Sequence, residues 1–161
     1  MATQAGTLLT AIGAKLAADF TGYTIRYGAP DTSGVYTGSG SYIYVRYTEE
    51  MEEAQGNQLA GVTTVKPRVM VHLERAYTGD STTSAPHLAL LELAADLRLS
   101  VNDLILDNMT GSPISGWPAG AALWITDCTT TPATLDIGSG QSTETITLQF
   151  GFKFTRTFGG R

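Results

Sequence analysis

The stretch from Glu144 to Phe158, reading ETITLQFGFKFTRTF, constrains the fold of this chain more than any other. Ile146, Leu148, Phe150, Phe152 and Phe154 fall on every second residue, with Thr145, Thr147, Gln149, Gly151, Lys153 and Thr155 between them. Successive side chains of an extended chain point to opposite faces, so the spacing predicts a strand with one apolar and one polar face. Burying each large apolar side chain contributes about 1.5–3 kcal/mol, enough for this strand to anchor a core. Alternation of this kind is a property of half-buried strands in general and assigns no function. Arg156 interrupts the apolar series before Phe158, which predicts that the strand end leaves the core.

A chain of 161 residues predicts a single domain spanning residues 1–161. A core of that size needs neither metal nor disulfide, since a domain this long buries about 70% of its unfolded surface. One cysteine, Cys128, excludes an intrachain disulfide and a cysteine-rich zinc site, leaving an intermolecular bond as its one route to a disulfide. No apolar run approaches the roughly 20 residues of a membrane span. The opening MATQAGTLL lacks the basic region and cleavage site of a signal peptide, so the chain is expected to stay in the cytoplasm or leave within an assembly.

Charged residues make up only 16% of the chain, against about 25% in ordinary soluble proteins. Its 24 threonines nearly equal the 25 Lys, Arg, Asp and Glu together. Such a surface is weakly defended against association. It suits a protein packed against copies or partners, and equally a threonine-rich monomer.

Two helices are predicted. The first runs from about Thr7 to Phe20, with Leu8, Leu9, Ile12, Leu16 and Phe20 as one apolar stripe and Gly22 placed for a left-handed cap. The second runs from Ser84, a candidate N-cap followed by Pro86 in the first turn, to about Leu106, with a possible break near Ser100. Leu90, Leu93, Ala94, Leu97, Val101 and Leu104 share one face of it, and Leu88, Ala95, Leu99 and Leu106 lie nearly opposite. A helix apolar on two sides is covered on two sides, and the second cover is either the first helix or a neighbouring subunit. Leu88, Ala95, Leu99 and Leu106 are thus the candidate subunit interface.

Further strands are expected at Tyr23–Tyr27, at Tyr42–Thr48 with Ile43, Val45 and Tyr47 inward, at Val62–Tyr77 and at Ala121–Cys128. Pro67 cannot donate to a ladder, which predicts a sheet edge or a bulge at the start of the third strand. The segments Gly28–Ser41, Glu49–Gly61, Met109–Gly120 and TTTPATLDIGSGQST read as loops. The whole is an α+β fold, a mixed or antiparallel sheet of four to five strands with two main helices packed on it.

Chemistry is scarce. Glu49, Glu50, Glu52 and Glu53 crowd into five residues, but they are adjacent rather than convergent, with no histidine or cation-loop glycine beside them. A solvated acidic loop is the expectation. No Gly-x-Ser-x-Gly elbow activates a serine. The Gly-Ser-Gly triplets at Gly38 and Gly138 lack the lysine and helix of a phosphate loop. His72 reads as a surface histidine, and no metal-spaced ligand set appears. A pI near 4.8 disfavours gripping a phosphate backbone. No catalytic, cofactor-binding or metal-binding residues are assigned, and the chain is not expected to be an enzyme.

The segments LLTAIGAKLAADF, VKPRVMVHLERAY, SAPHLALLELAADL and ITLQFGFKFTRT, in this order, resemble the tail-terminator (tail-completion) proteins of long-tailed bacteriophages. That resemblance spans almost the whole chain and implies an α+β subunit of a six-membered homo-oligomeric ring at the head-proximal end of the tail tube. The implied partners are the tail tube protein and the neck or connector proteins, with DNA passing through unbound and no membrane involved. The implied location is the tail or neck of the virion, after assembly in the host cytoplasm. In such a ring Pro67 and Trp117 are the candidate tube or neck contacts, although a tryptophan between prolines also plugs contacts within a chain. Glu49, Glu50, Glu52 and Glu53 are the candidate channel lining, where negative charge would repel DNA. Another neck ring, a stopper or adaptor, remains an alternative, as does a ligand-binding or hydrolytic domain using Glu49–Glu53.

Overall fold

The computed structural model describes residues 3–28, 41–54, 62–77, 85–118, 121–137 and 142–157. Two helices, α1 (Gln4–Asp19) and α2 (Ala85–Thr110), accompany five strands: β1 (Thr24–Tyr27), β2 (Tyr42–Ala54), β3 (Val62–Tyr77), β4 (Leu123–Ile137) and β5 (Ser142–Thr157). The strands form one sheet in the order β1-β2-β3-β5-β4. Only β1 runs parallel to its neighbour, β2, and every other pairing is antiparallel, so the fold is α+β with a mixed sheet. Candidate N-cap Ser84, the Gly-Ser-Gly triplets and most of the Gly28–Ser41 segment lie outside the described residues.

β5 lies inside the sheet, between β3 and β4, and its alternation marks the buried face. Ile146, Leu148, Phe150, Phe152 and Phe154 are all buried, packed with Val65, Val69, Val71 and Leu73 of β3 and Ile43 and Val45 of β2. Both helices cover this face. α1 supplies Leu8, Ile12 and Leu16, and α2 supplies Leu90, Ala94, Leu97, Val101 and Ile105. The two helices are tied where the Ser100 hydroxyl donates to Asp19 Oδ2 at 2.6 Å, a bond that holds the Asp19 carboxyl below its usual range. Ser100 is therefore a buried cross-link inside a continuous helix rather than the break expected there.

Both helices run past the expected bounds, α1 beginning at Gln4 rather than Thr7 and α2 ending at Thr110 rather than near Leu106. Thr3 caps α1, its hydroxyl accepting from Gly6 N at 3.0 Å. At the other end Phe20, not Gly22, closes the helix, with its N–H on Leu16 O. α2 stops at Gly111, whose φ of 131° is open only to glycine at low cost, and Gly111 and Ser112 N–H both return to Asp107 O.

Two predicted loops are strand over their first described residues. The acidic segment continues β2 to Ala54, and TTTPATLDI continues β4 to Ile137. Each extension follows a register shift, between Tyr47 and Glu49 in β2 and between Ile125 and Asp127 in β4. A bulge moves the side chains beyond it to the opposite face, which erases the simple alternation that marks a strand in sequence. Of the two places expected for Pro67, an edge is overturned, since it is buried in central β3, while the ladder is irregular beside it, with the β2 register shift at Tyr47/Glu49 next to the Glu50–Pro67 pair. Its missing N–H is accommodated locally, because the β3–β5 pairing passes from Val65–Phe154 directly to Arg68–Gly151.

Candidate assembly surfaces

The outer side of α2 carries five of the eight large hydrophobic side chains exposed among the described residues. Leu88, Leu99, Leu106 and Met109 are exposed at 54%, 58%, 56% and 56%, and Leu91 and Ala95 are exposed with them. Leu88, Leu91, Ala95 and Leu99 recur every three or four residues, and Leu106 and Met109 follow one seven-residue step later, past the polar Asn102 and Asp103, making a stripe about 31 Å long at 1.5 Å per residue. At 100° per residue it lies about 140° around the helix from the buried face. α1 does not cover it, since α1 meets α2 on the Ser100 side. Leu91 and Met109 were missed in the sequence, although they lie three residues from Leu88 and Leu106 on the same stripe.

The four acidic candidates sit on a strand and are divided between its two faces. Glu50 and Glu52 point to the helix-side face, where Arg156 donates to both, at 3.1 and 2.8 Å. The Tyr47 hydroxyl also donates to Glu50, and burial together with that carboxylate pushes its pKa up. Glu53 pairs with Lys66 at 2.7 Å on the other face, beside Glu49. Three of the four carboxylates thus have a cationic partner. Arg156, which breaks the apolar series of β5, is explained by this clamp.

Trp117 is buried in its own chain. Its Nε1–H donates to Ala121 O at 2.9 Å and its ring stands on Phe154, so the within-chain alternative describes its environment. Pro67 is buried as well.

The sheet face turned away from the helices is amphipathic. Tyr44 is only 5% exposed, lying between Tyr42 and His72, while Arg26 sits over the Tyr42 ring at 4.4 Å. His72 is half-buried rather than on the surface, with Nδ1 2.7 Å from Thr147 Oγ1, and burial lowers its pKa. Farther along, Arg68 pairs with Asp127 at 3.0 Å across Gly151, where a Cβ would come within 2.6 Å of the Asp127 carboxylate. Met51 and Trp124 stand exposed on this face.

A groove of about 910 Å³ opens between α1 and the C-terminal part of α2, floored by Gly6, Thr7, Ala11 and Ala14 and rimmed by Lys15 and Asp107. Among the described residues no group of three or more His, Cys, Asp or Glu side chains is placed to hold a metal ion. No described helix is long and apolar enough to cross a membrane.

These features define a two-layer α+β domain whose second helix keeps an apolar face beyond its own core. No protein-family model matches the chain, and no curated protein matches it. Among solved structures, one similar in part is the sheath/tube terminator of an extracellular contractile injection system, PVC, determined by cryo-EM in the extended state. It aligns with a TM-score of 0.43 at 12% identity, over 94% of this chain and 57% of its own. The chain thus spans little more than half the length of that protein.

Proposed function

We propose that this protein is a structural subunit of a homo-oligomeric ring, six-membered in the family its sequence resembles, that caps the head-proximal end of a phage tail tube. In that role it stops addition of tube subunits and presents a docking surface to the head or neck, with DNA passing through the ring. The observation that carries this proposal is the exposed leucine stripe of α2, on a chain otherwise folded around a complete core. An apolar face of this length has little reason to remain bare on a protein that works alone. The role needs no catalysis, cofactor or metal.

Deleting the gene tests it. Tubes of uncontrolled length, unattached to filled heads, are the expected result. Tails of normal length beside heads that leak DNA would instead assign the protein to a stopper or adaptor ring of the neck. A ligand-binding or hydrolytic domain built on Glu49–Glu53 predicts a monomer that does not co-purify with particles. The pairing of Glu50, Glu52 and Glu53 with Arg156 and Lys66 speaks against that role, because those carboxylates are already committed.

A further inference from the structure

The two outer faces of the molecule complement one another. α2 carries Glu92, Asp96, Asp103 and Asp107 against Arg98 alone, and Arg98 reaches Thr130 at 2.6 Å. The open sheet face carries Arg26, Arg46, Lys66, Arg68 and Lys153 against Glu49, Glu53, Glu74 and Asp127. Two of those four carboxylates are tied down on their own face, Glu53 to Lys66 and Asp127 to Arg68. Among the described residues, Arg46 and Lys153 have no ion-pair partner. One side is therefore apolar and acidic, and the other is amphipathic, with Arg46 and Lys153 uncommitted on it beside two carboxylates unpaired among the described residues, Glu49 next to Arg68 and Glu74 toward the Tyr42 end.

We infer that the outer face of α2 in one copy packs on the open sheet face of the next, head to tail. This rests on the ring proposed above and names its contact. The leucine stripe would lie over Met51, Met70 and Trp124, with the α2 carboxylates toward Arg46 and Lys153. Each sheet is then covered twice, by its own helices and by its neighbour's. A symmetric contact of α2 with α2 would bring the same four carboxylates against their own copies, so charge disfavours it. A front-to-back contact is heterologous and repeats around a ring when the rotation closes.

Disulfide trapping tests the contact in a Cys128→Ser background. Leu99→Cys is made in one protein, and Met70→Cys or Gln149→Cys, neighbours in register on the open face, in another. Thermal unfolding checks that each variant folds, and two sheet positions guard against one failing. On mixing at high micromolar concentration under mild oxidation, a covalent dimer is expected in the mixture and not from Leu99→Cys alone. A dimer from Leu99→Cys alone means a helix-to-helix contact and overturns the inference. Rings in native mass spectra without a cross-link to either sheet position overturn this contact and leave the ring standing. Monomer at every concentration overturns both.

Discussion

The indole of Trp117 stands edge-on against the ring of Phe154, with centroids 5.1 Å apart and planes at 85°. The loop after α2 is thereby fastened to β5, next to where β4 begins. Trp117→Ala should cost about 3–5 kcal/mol, as for other buried aromatic truncations. Chemical denaturation would check this. A loss below about 1 kcal/mol, with assembly abolished, would mean instead that the indole serves a partner.

Adjacent leucines of α2 should behave in opposite ways. Leu97 is fully buried and Leu99 is 58% exposed. Leu97→Glu places an unpaired charge in the core and should unfold the chain. Leu99→Glu should leave the monomer within about 0.5 kcal/mol of the parent, as surface changes do, while abolishing rings. Thermal unfolding and native mass spectrometry together read both outcomes.

Arg156 lies against Glu50 and Glu52 with a fifth of its side chain exposed, and its Nε has no hydrogen-bond partner. Replacing both glutamates by glutamine should therefore lower the melting temperature before it changes anything in a channel. Glu49→Gln, with no ion pair among the described residues, should leave stability unchanged. DNA ejection from particles carrying Glu49→Gln then probes the channel-lining role without the confounding loss of fold.

Gly151 marks a close approach on the open face. A Cβ there would meet Asp127 Oδ2 and Thr126 Oγ1, both at 2.6 Å. Gly151→Ala should push Asp127 away from Arg68 and cost about 1–3 kcal/mol, the usual range for overpacking. If Asp127→Ala is already present, most of that cost should vanish, which a double-mutant cycle would measure.

Acid should affect two neighbouring side chains in opposite senses. Burial holds His72 below its usual 6.5 and raises Glu74 above its usual 4.5. The unfolded chain protonates His72 first, so stability falls as pH drops below about 6.5 and levels off below the folded-state value. The folded chain protonates Glu74 first, so stability rises as pH falls through the raised value towards 4.5. His72→Gln should remove the acid-side loss and leave the Glu74 gain, visible in urea midpoints between pH 7.5 and 4.5.

Where hydrophobic period and burial coincide, the sequence was readable. The alternation of β5, the Val69–Leu73 core of β3 and both helices follow directly from it. The acidic end of β2 was not readable as strand, because its charge is balanced by Arg156, 104 and 106 positions away from Glu52 and Glu50. The threonine and proline of TTTPATLDI look like a loop, and only the ladder to β5 makes them a strand. Pairing across a sheet is invisible until the neighbours are known. The α2 stripe is legible in outline and Leu91 shares its spacing, whereas Met109 falls in the expected loop Met109–Gly120 and joins the stripe only because α2 runs on to Thr110.

The order of the sheet also bears on how the chain is made. β2 with β3, and β4 with β5, are neighbours in sequence, but the innermost ladder joins Val62 to Thr157 and Tyr77 to Ser142. That ladder waits for the last strand to leave the ribosome. Until then the first hairpin holds Val69, Val71 and Leu73 beside a bare edge, a state open to pairing with the wrong chain. Slow emergence of β5, or a surplus of nascent chains, should therefore favour aggregation over folding, and soluble yield should rise when expression is slowed.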